Sequence, residues 1–74
     1  MTMTPEQAYR ELSDHYRLAN KCPTPSQARL LSWANGAESW AEWYIRHYNW
    51  TYRRAETMVN RCRELAPLAM QHQP

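Results

Sequence analysis

Residues 37–66 read AESWAEWYIRHYNWTYRRAETMVNRCRELA, thirty residues without Pro or Gly. Within them, positions 37, 41, 44, 48, 52, 55, 59, 62 and 66 hold Ala, Ala, Tyr, Tyr, Tyr, Ala, Val, Cys and Ala, none of them charged. The positions advance by an average close to 3.6, so they share one face of an α-helix. The stripe predicts a single long helix over about 36–66, which at 1.5 Å per residue would extend roughly 45 Å. Asn35 is its candidate N-cap, with Glu38 at the capping-box spacing, and Pro67 closes the run. Asn49 and Thr51 mark a possible break. The stripe keeps its phase on both sides of them, and this favours one continuous helix, straight or bent.

Two earlier helix starts are written in nearly the same letters. Thr4-Pro5-Glu6-Gln7 and Thr24-Pro25-Ser26-Gln27 both place Thr at an N-cap, Pro at the first helical position and Gln where it can reach back to the cap. The first predicts a helix over about 5–20 with Ala8, Tyr9, Leu12, Tyr16 and Ala19 on one face. The second predicts a short helix over about 25–34 that turns Ala28, Leu31 and Leu30 inward. Between them, Cys22-Pro23-Thr24-Pro25 forms a stiff connection, because each Pro biases its predecessor away from helix. The tail, 67–74, is expected to fray, with Leu68 and Met70 as its anchors. The fold class that follows is all-α: one three-helix domain over 1–74, in which two short N-terminal helices pack on one long C-terminal helix.

Composition narrows what such a domain can do. In 74 residues there are only eight Leu, Ile and Val, against nine aromatics and no Phe. Every ring therefore carries a polar atom, a property useful where one end is packed and the other meets water or a partner. Between Trp33 and Tyr52 stand four Trp and three Tyr. Eight Arg against one Lys leave a net charge of only +2. Arg stacks on rings and pairs bidentately, and it is enriched at interfaces from which Lys is depleted.

Turning round the long helix from the Ala/Tyr stripe, a second face carries Trp40, Trp43, His47, Trp50, Arg54, Met58 and Arg61. The remaining circumference is polar. The Ala/Tyr stripe reads as core, since small residues let another helix approach closely. The Trp face has two readings, core or intermolecular surface. A second helix of about ten residues is too short to cover all of it, and Trp, Arg and Met are the residues enriched where partners bind. Those seven residues are the candidate partner-binding site, with Trp43, Trp50 and Arg54 at its centre.

The residues for catalysis are hard to find. One Asp, one Gly and three His far apart in sequence give no phosphate loop, no HxxxH or HExxH, and no Cys/His set with metal-ligand spacing. No catalytic, cofactor or metal residue is assigned, and no enzyme is expected. Nucleic-acid binding is the alternative: Arg53, Arg54, Arg61 and Arg63 lie beside Trp50, but Glu56 and Glu64 reduce that half to +2, and Arg53 and Arg63 point away from the others. A helix-turn-helix register with Gly36 in the turn would bury Glu42. No run approaches the roughly 20 apolar residues that span a bilayer. Nor does the sequence open on a basic segment followed by an apolar one. The expectation is a cytoplasmic chain with free thiols at Cys22 and Cys62. Its expected role is that of a small noncatalytic module that binds another protein as regulator, adaptor or inhibitor. Homodimer formation is expected of so small a core. Chains of this size and composition are common among bacterial and phage accessory proteins, an analogy at that level alone.

Overall fold

The computed structural model describes residues 2–72. It is all-helical, with four helices in the order α1 (Pro5–Asn20), α2 (Gln27–Asn35), α3 (Ala37–Tyr48) and α4 (Tyr52–Ala69). The all-α class holds, and the single long helix does not. Asn49 closes α3 in the left-handed conformation, φ 57° and ψ 33°, a place where Asn is tolerated far better than most residues. The N–H groups of Asn49 and Trp50 both return to the Tyr44 carbonyl. Thr51 is then extended, and its hydroxyl accepts from the Arg54 N–H at 3.1 Å, starting α4.

The chain thus reverses, and α3 folds back on α4. Glu38, at the start of α3, meets Arg63, late in α4, in an ion pair. Both halves of the stripe are buried: Ala37, Ala41 and Tyr44 from α3, then Ala55, Val59, Cys62 and Ala66 from α4. Between them Tyr48 is half-buried and Tyr52 is 80% exposed. Phase continuity could not separate one helix from a hairpin, because in the hairpin each helix buries its own part of the stripe.

α4 is the central element, packed most extensively against α1 and also against α3 and α2. α1 follows the sequence reading. Its capping box is formed in both directions, Gln7 N–H to Thr4 Oγ1 at 3.1 Å and Thr4 N–H to Gln7 Oε1 at 3.0 Å, and Ala8, Leu12 and Ala19 are fully buried. α2 begins two residues later than expected. Ser26, an equally good N-cap, accepts from the Arg29 N–H, while Gln27 donates instead to the His72 carbonyl at 2.8 Å. The face it turns inward is Leu30, Trp33 and Ala34; Leu31 is half-buried and Ala28 is exposed.

The junction between α2 and α3 is a single residue, Gly36, without a side-chain cap, so Asn35 does not cap α3. α4 also runs on through Pro67 to Ala69. Pro67 forfeits one ladder hydrogen bond, yet Leu65, Ala66 and Ala69 are buried beside it and the Met70 N–H reaches Ala66 at 3.0 Å. Residues 67–72 are therefore docked rather than frayed. Leu68 packs on the core, the ring of His72 lies 4.8 Å from that of Tyr9, and Met70, an expected anchor, is exposed. The last two residues of the expected tail, 73 and 74, lie outside the described residues.

Candidate functional site

The break at Asn49 divides the candidate residues into two groups. On α3, Trp43 is half-buried, edge-on to Tyr44 and Tyr48, with His47 stacked 4.5 Å outside it. Trp40 is 38% exposed and shares a shallow depression with Arg29 and Tyr16. The second group stands where α3 ends and α4 begins. There Trp50 has left the helix and stacks on Tyr44 at 4.8 Å, and the Arg54 guanidinium lies 4.0 Å over its ring.

Two of the seven have other employment. Met58 is a core residue, 5% exposed with only its edge reaching the surface, because the buried arc of α4 is wider than the Ala/Tyr stripe. Arg61 makes a bidentate pair across the helices with Glu11 of α1 and bonds Glu64 at 2.8 Å. The continuous Trp, Arg and Met face expected of a single helix is thus replaced by two patches.

The polar atoms of two rings, Trp33 and Tyr44, serve the interior. Trp33 Nε1–H donates to the Tyr44 hydroxyl at 2.9 Å, which donates to Asn20 Oδ1 at 2.9 Å, and Asn20 Nδ2 donates to the Tyr16 carbonyl. This relay ties α2, α3 and α1 together. Tyr44 is fully buried, and burial pushes its phenol above the ordinary range. Among the described residues no buried side-chain polar atom lacks a partner. Cys62, also in the core, has its thiol pushed up to about 11 by burial and stays uncharged at neutral pH.

A cleft of about 420 Å³ opens beside Trp50. From α1 it takes Leu18 and His15; from α4, Arg53, Thr57 and the edge of Met58; Trp50, Thr51 and Arg54 close the third side. Leu18 is 68% exposed, a large apolar side chain left in solvent at the mouth of the cleft. Among the described residues no carboxylate lines it. Glu11, 3.6 Å from His15, is engaged by Arg61, whose guanidinium holds the carboxyl below its usual range. The sequence reading leaves Leu18 and His15 out of the site and weighs Arg53 only for nucleic-acid binding. Leu18 was visible in principle, as the one large aliphatic residue off the apolar face of α1.

Among the described residues no group of three or more His, Cys, Asp or Glu side chains is placed to hold a metal ion, and no helix is long and apolar enough to cross a membrane. No family model, curated protein or solved structure matches the chain.

Proposed function

We propose that this chain is a small noncatalytic protein-binding module of the cytoplasm, a regulator, adaptor or inhibitor of another protein. The observation that carries the reading is Leu18, exposed at the mouth of a cleft walled by Trp50, Met58 and two Arg. Apolar anchors beside Trp and Arg are the composition of binding hot spots, and folding alone gives no reason to place a Leu there. The nucleic-acid alternative has less support. Of the four Arg on α4, Arg61 is paired with Glu11 and Arg63 with Glu38, and a base could stack on the outer side of Trp50 only by displacing Arg54. Self-association would use the same kind of exposed apolar side chain, Leu18, Tyr52 or Met70.

The test compares the immobilised chain with its Leu18→Asp variant, which should stay folded, with stability lowered by no more than about 1 kcal/mol for an acid in the last turn of α1. A protein captured by the first and lost by the second supports the reading. Identical captured proteins on both, or tight retention of nucleic acid at physiological salt, overturns it. Light scattering over a hundredfold concentration range reports whether the captured partner is a second copy.

A further inference from the structure

Arg53 and Arg54 sit in the first turn of α4, where the helix presents its positive end. Cations are unfavourable there. The first turns of α1 and α3 each carry an acid, Glu6 and Glu38, and that of α2 carries one cation, Arg29, whereas the first turn of α4 carries two cations and no acid. Two like charges at a like-charged helix end are a local cost that no carboxylate offsets, since neither Arg has an ion pair with a described residue and Arg54 has only the face of Trp50. The same two residues border the cleft that holds the exposed Leu18.

From this juxtaposition we propose that the cleft between α1 and the start of α4 docks an acidic amphipathic segment of a partner protein. One apolar side chain of that segment sits against Leu18, Trp50 and Met58, and its flanking carboxylates sit on Arg53 and Arg54. The proposal rests on the reading of the chain as a protein-binding module and adds the chemistry of the partner.

Three features select that chemistry. Guanidinium groups pair with carboxylates through two parallel hydrogen bonds, and Arg54, already held over the Trp50 ring, loses less freedom on pairing than a free side chain would. No carboxylate lining the cleft competes for them, and the nearby Glu11 is occupied by Arg61. Leu18, Met58 and Trp50 supply apolar area that a polyanion without apolar groups would leave uncovered. A partner with negative charge alone therefore satisfies half of the site, and an apolar partner alone the other half.

The probe is a synthetic peptide with Leu at helical spacing and Glu between, titrated into the ¹⁵N-labelled full chain. Controls are the same peptide with Lys for Glu, with Ser for Leu, and a single-stranded oligonucleotide. The Leu/Glu peptide should shift the Trp50 indole N–H and the amides of Leu18 and Thr57, and leave the Trp40 indole unmoved. Arg53→Glu and Leu18→Asp should each weaken it at least tenfold, and the Lys and Ser peptides should bind at least tenfold more weakly. Arg53→Glu is an informative variant because it restores an acid to the first turn of α4, so it should melt at or above the parent temperature while losing the peptide. The inference is overturned if the Lys peptide binds as well as the Glu peptide, if the shifts centre on Trp40, or if the oligonucleotide binds more tightly at physiological salt. A Leu18-dependent captured partner together with no response to the Leu/Glu peptide removes this inference and leaves the protein-binding reading standing. Absence of both removes both.

Discussion

The aromatic cluster around Tyr44 and the cleft beside Leu18 draw on the same residue types and share one of them, Trp50. On the Tyr44 side the ring is stacked on a fully buried phenol, itself bonded to Trp33 and Asn20. On the cleft side it meets a guanidinium, a helix end and an exposed Leu. In the first region every buried polar side-chain atom has a partner inside the chain. In the second, two cations lack an ion pair with a described residue and an apolar side chain stands in solvent. A Trp or an Arg in the sequence does not declare a surface; what distinguishes the two regions is whether the structure finishes satisfying the residues it brings together.

Truncation should separate the regions most sharply. Removing a fully buried aromatic costs about 3 to 5 kcal/mol, while roughly 0.05 to 0.15 kcal/mol per residue puts the total stability of a chain of 74 residues at about 4 to 11 kcal/mol. Tyr44→Ala should therefore remove about a third or more of that stability, seen by circular dichroism and denaturant titration. Leu18→Ala, at a site 68% exposed, should change stability by less than about 0.5 kcal/mol. Equal losses from the two would erase the distinction between them.

A finer test keeps the ring and removes its hydroxyl. Tyr44→Phe leaves Trp33 Nε1–H, which is buried, without an acceptor and Asn20 Oδ1, which is part-buried, without a donor. Stranding buried polar groups costs about 1 to 3 kcal/mol, and denaturant unfolding should show a loss in that range. A neutral result would mean that the relay merely accompanies the packing of the ring.

Much of the fold was legible. The capping box at Thr4 and Gln7, the apolar face of α1 and the buried stripe of α3 and α4 follow from local spacing, and local spacing is what the sequence displays. The reversal at Asn49 was harder, because nine stripe positions in phase describe one helix and a hairpin equally well. The two differ only in long-range contacts such as Glu38 with Arg63. The site was legible in part. Trp50 and Arg54 were singled out from a helical projection and do meet, though at a junction where that projection no longer applies. Leu18 and His15 enter the same cleft from α1, across a helix pairing that no periodicity encodes. Met58 was lost to the core because the projection was centred on the Ala/Tyr stripe, and burial on α4 extends past it.

The sign of one substitution tests the reversal that separates the regions. Asn49 is left-handed, φ 57°, and an L-residue with a Cβ but no local hydrogen bond pays about 1 kcal/mol or more to sit there. Asn49→Ala should destabilise by about 1 kcal/mol, and Asn49→Gly should be neutral or stabilising. In an unbroken helix the order would invert, since Ala is the best helix former and Gly among the worst. Thermal melts of the two variants decide between the hairpin and the single helix without a further structure.

The smallest effect concerns the ion pair that borders the cleft. Arg61 grips Glu11 with two hydrogen bonds, and this holds the carboxyl below its ordinary value of 4.5. A carboxylate whose folded pKa is depressed contributes stability that is fully present above the unfolded value and is lost as pH falls through the folded one. The share of the parent chain's advantage over Glu11→Gln that Arg61 supplies should therefore be constant from neutral pH down to about 5 and shrink below that, as Glu11 takes up its proton in both states. Both side chains are about one-third exposed, so solvent screens the pair and the advantage is modest even at its plateau. Added salt should reduce it further. Melting curves of the two chains across this range, at low and high salt, measure it. If the variant is as stable as the parent at neutral pH, Arg61 gains nothing from Glu11. The pair would then merely accompany the packing of α1 on α4, and the charge difference between the two regions would rest on Arg53 and Arg54, which line the cleft.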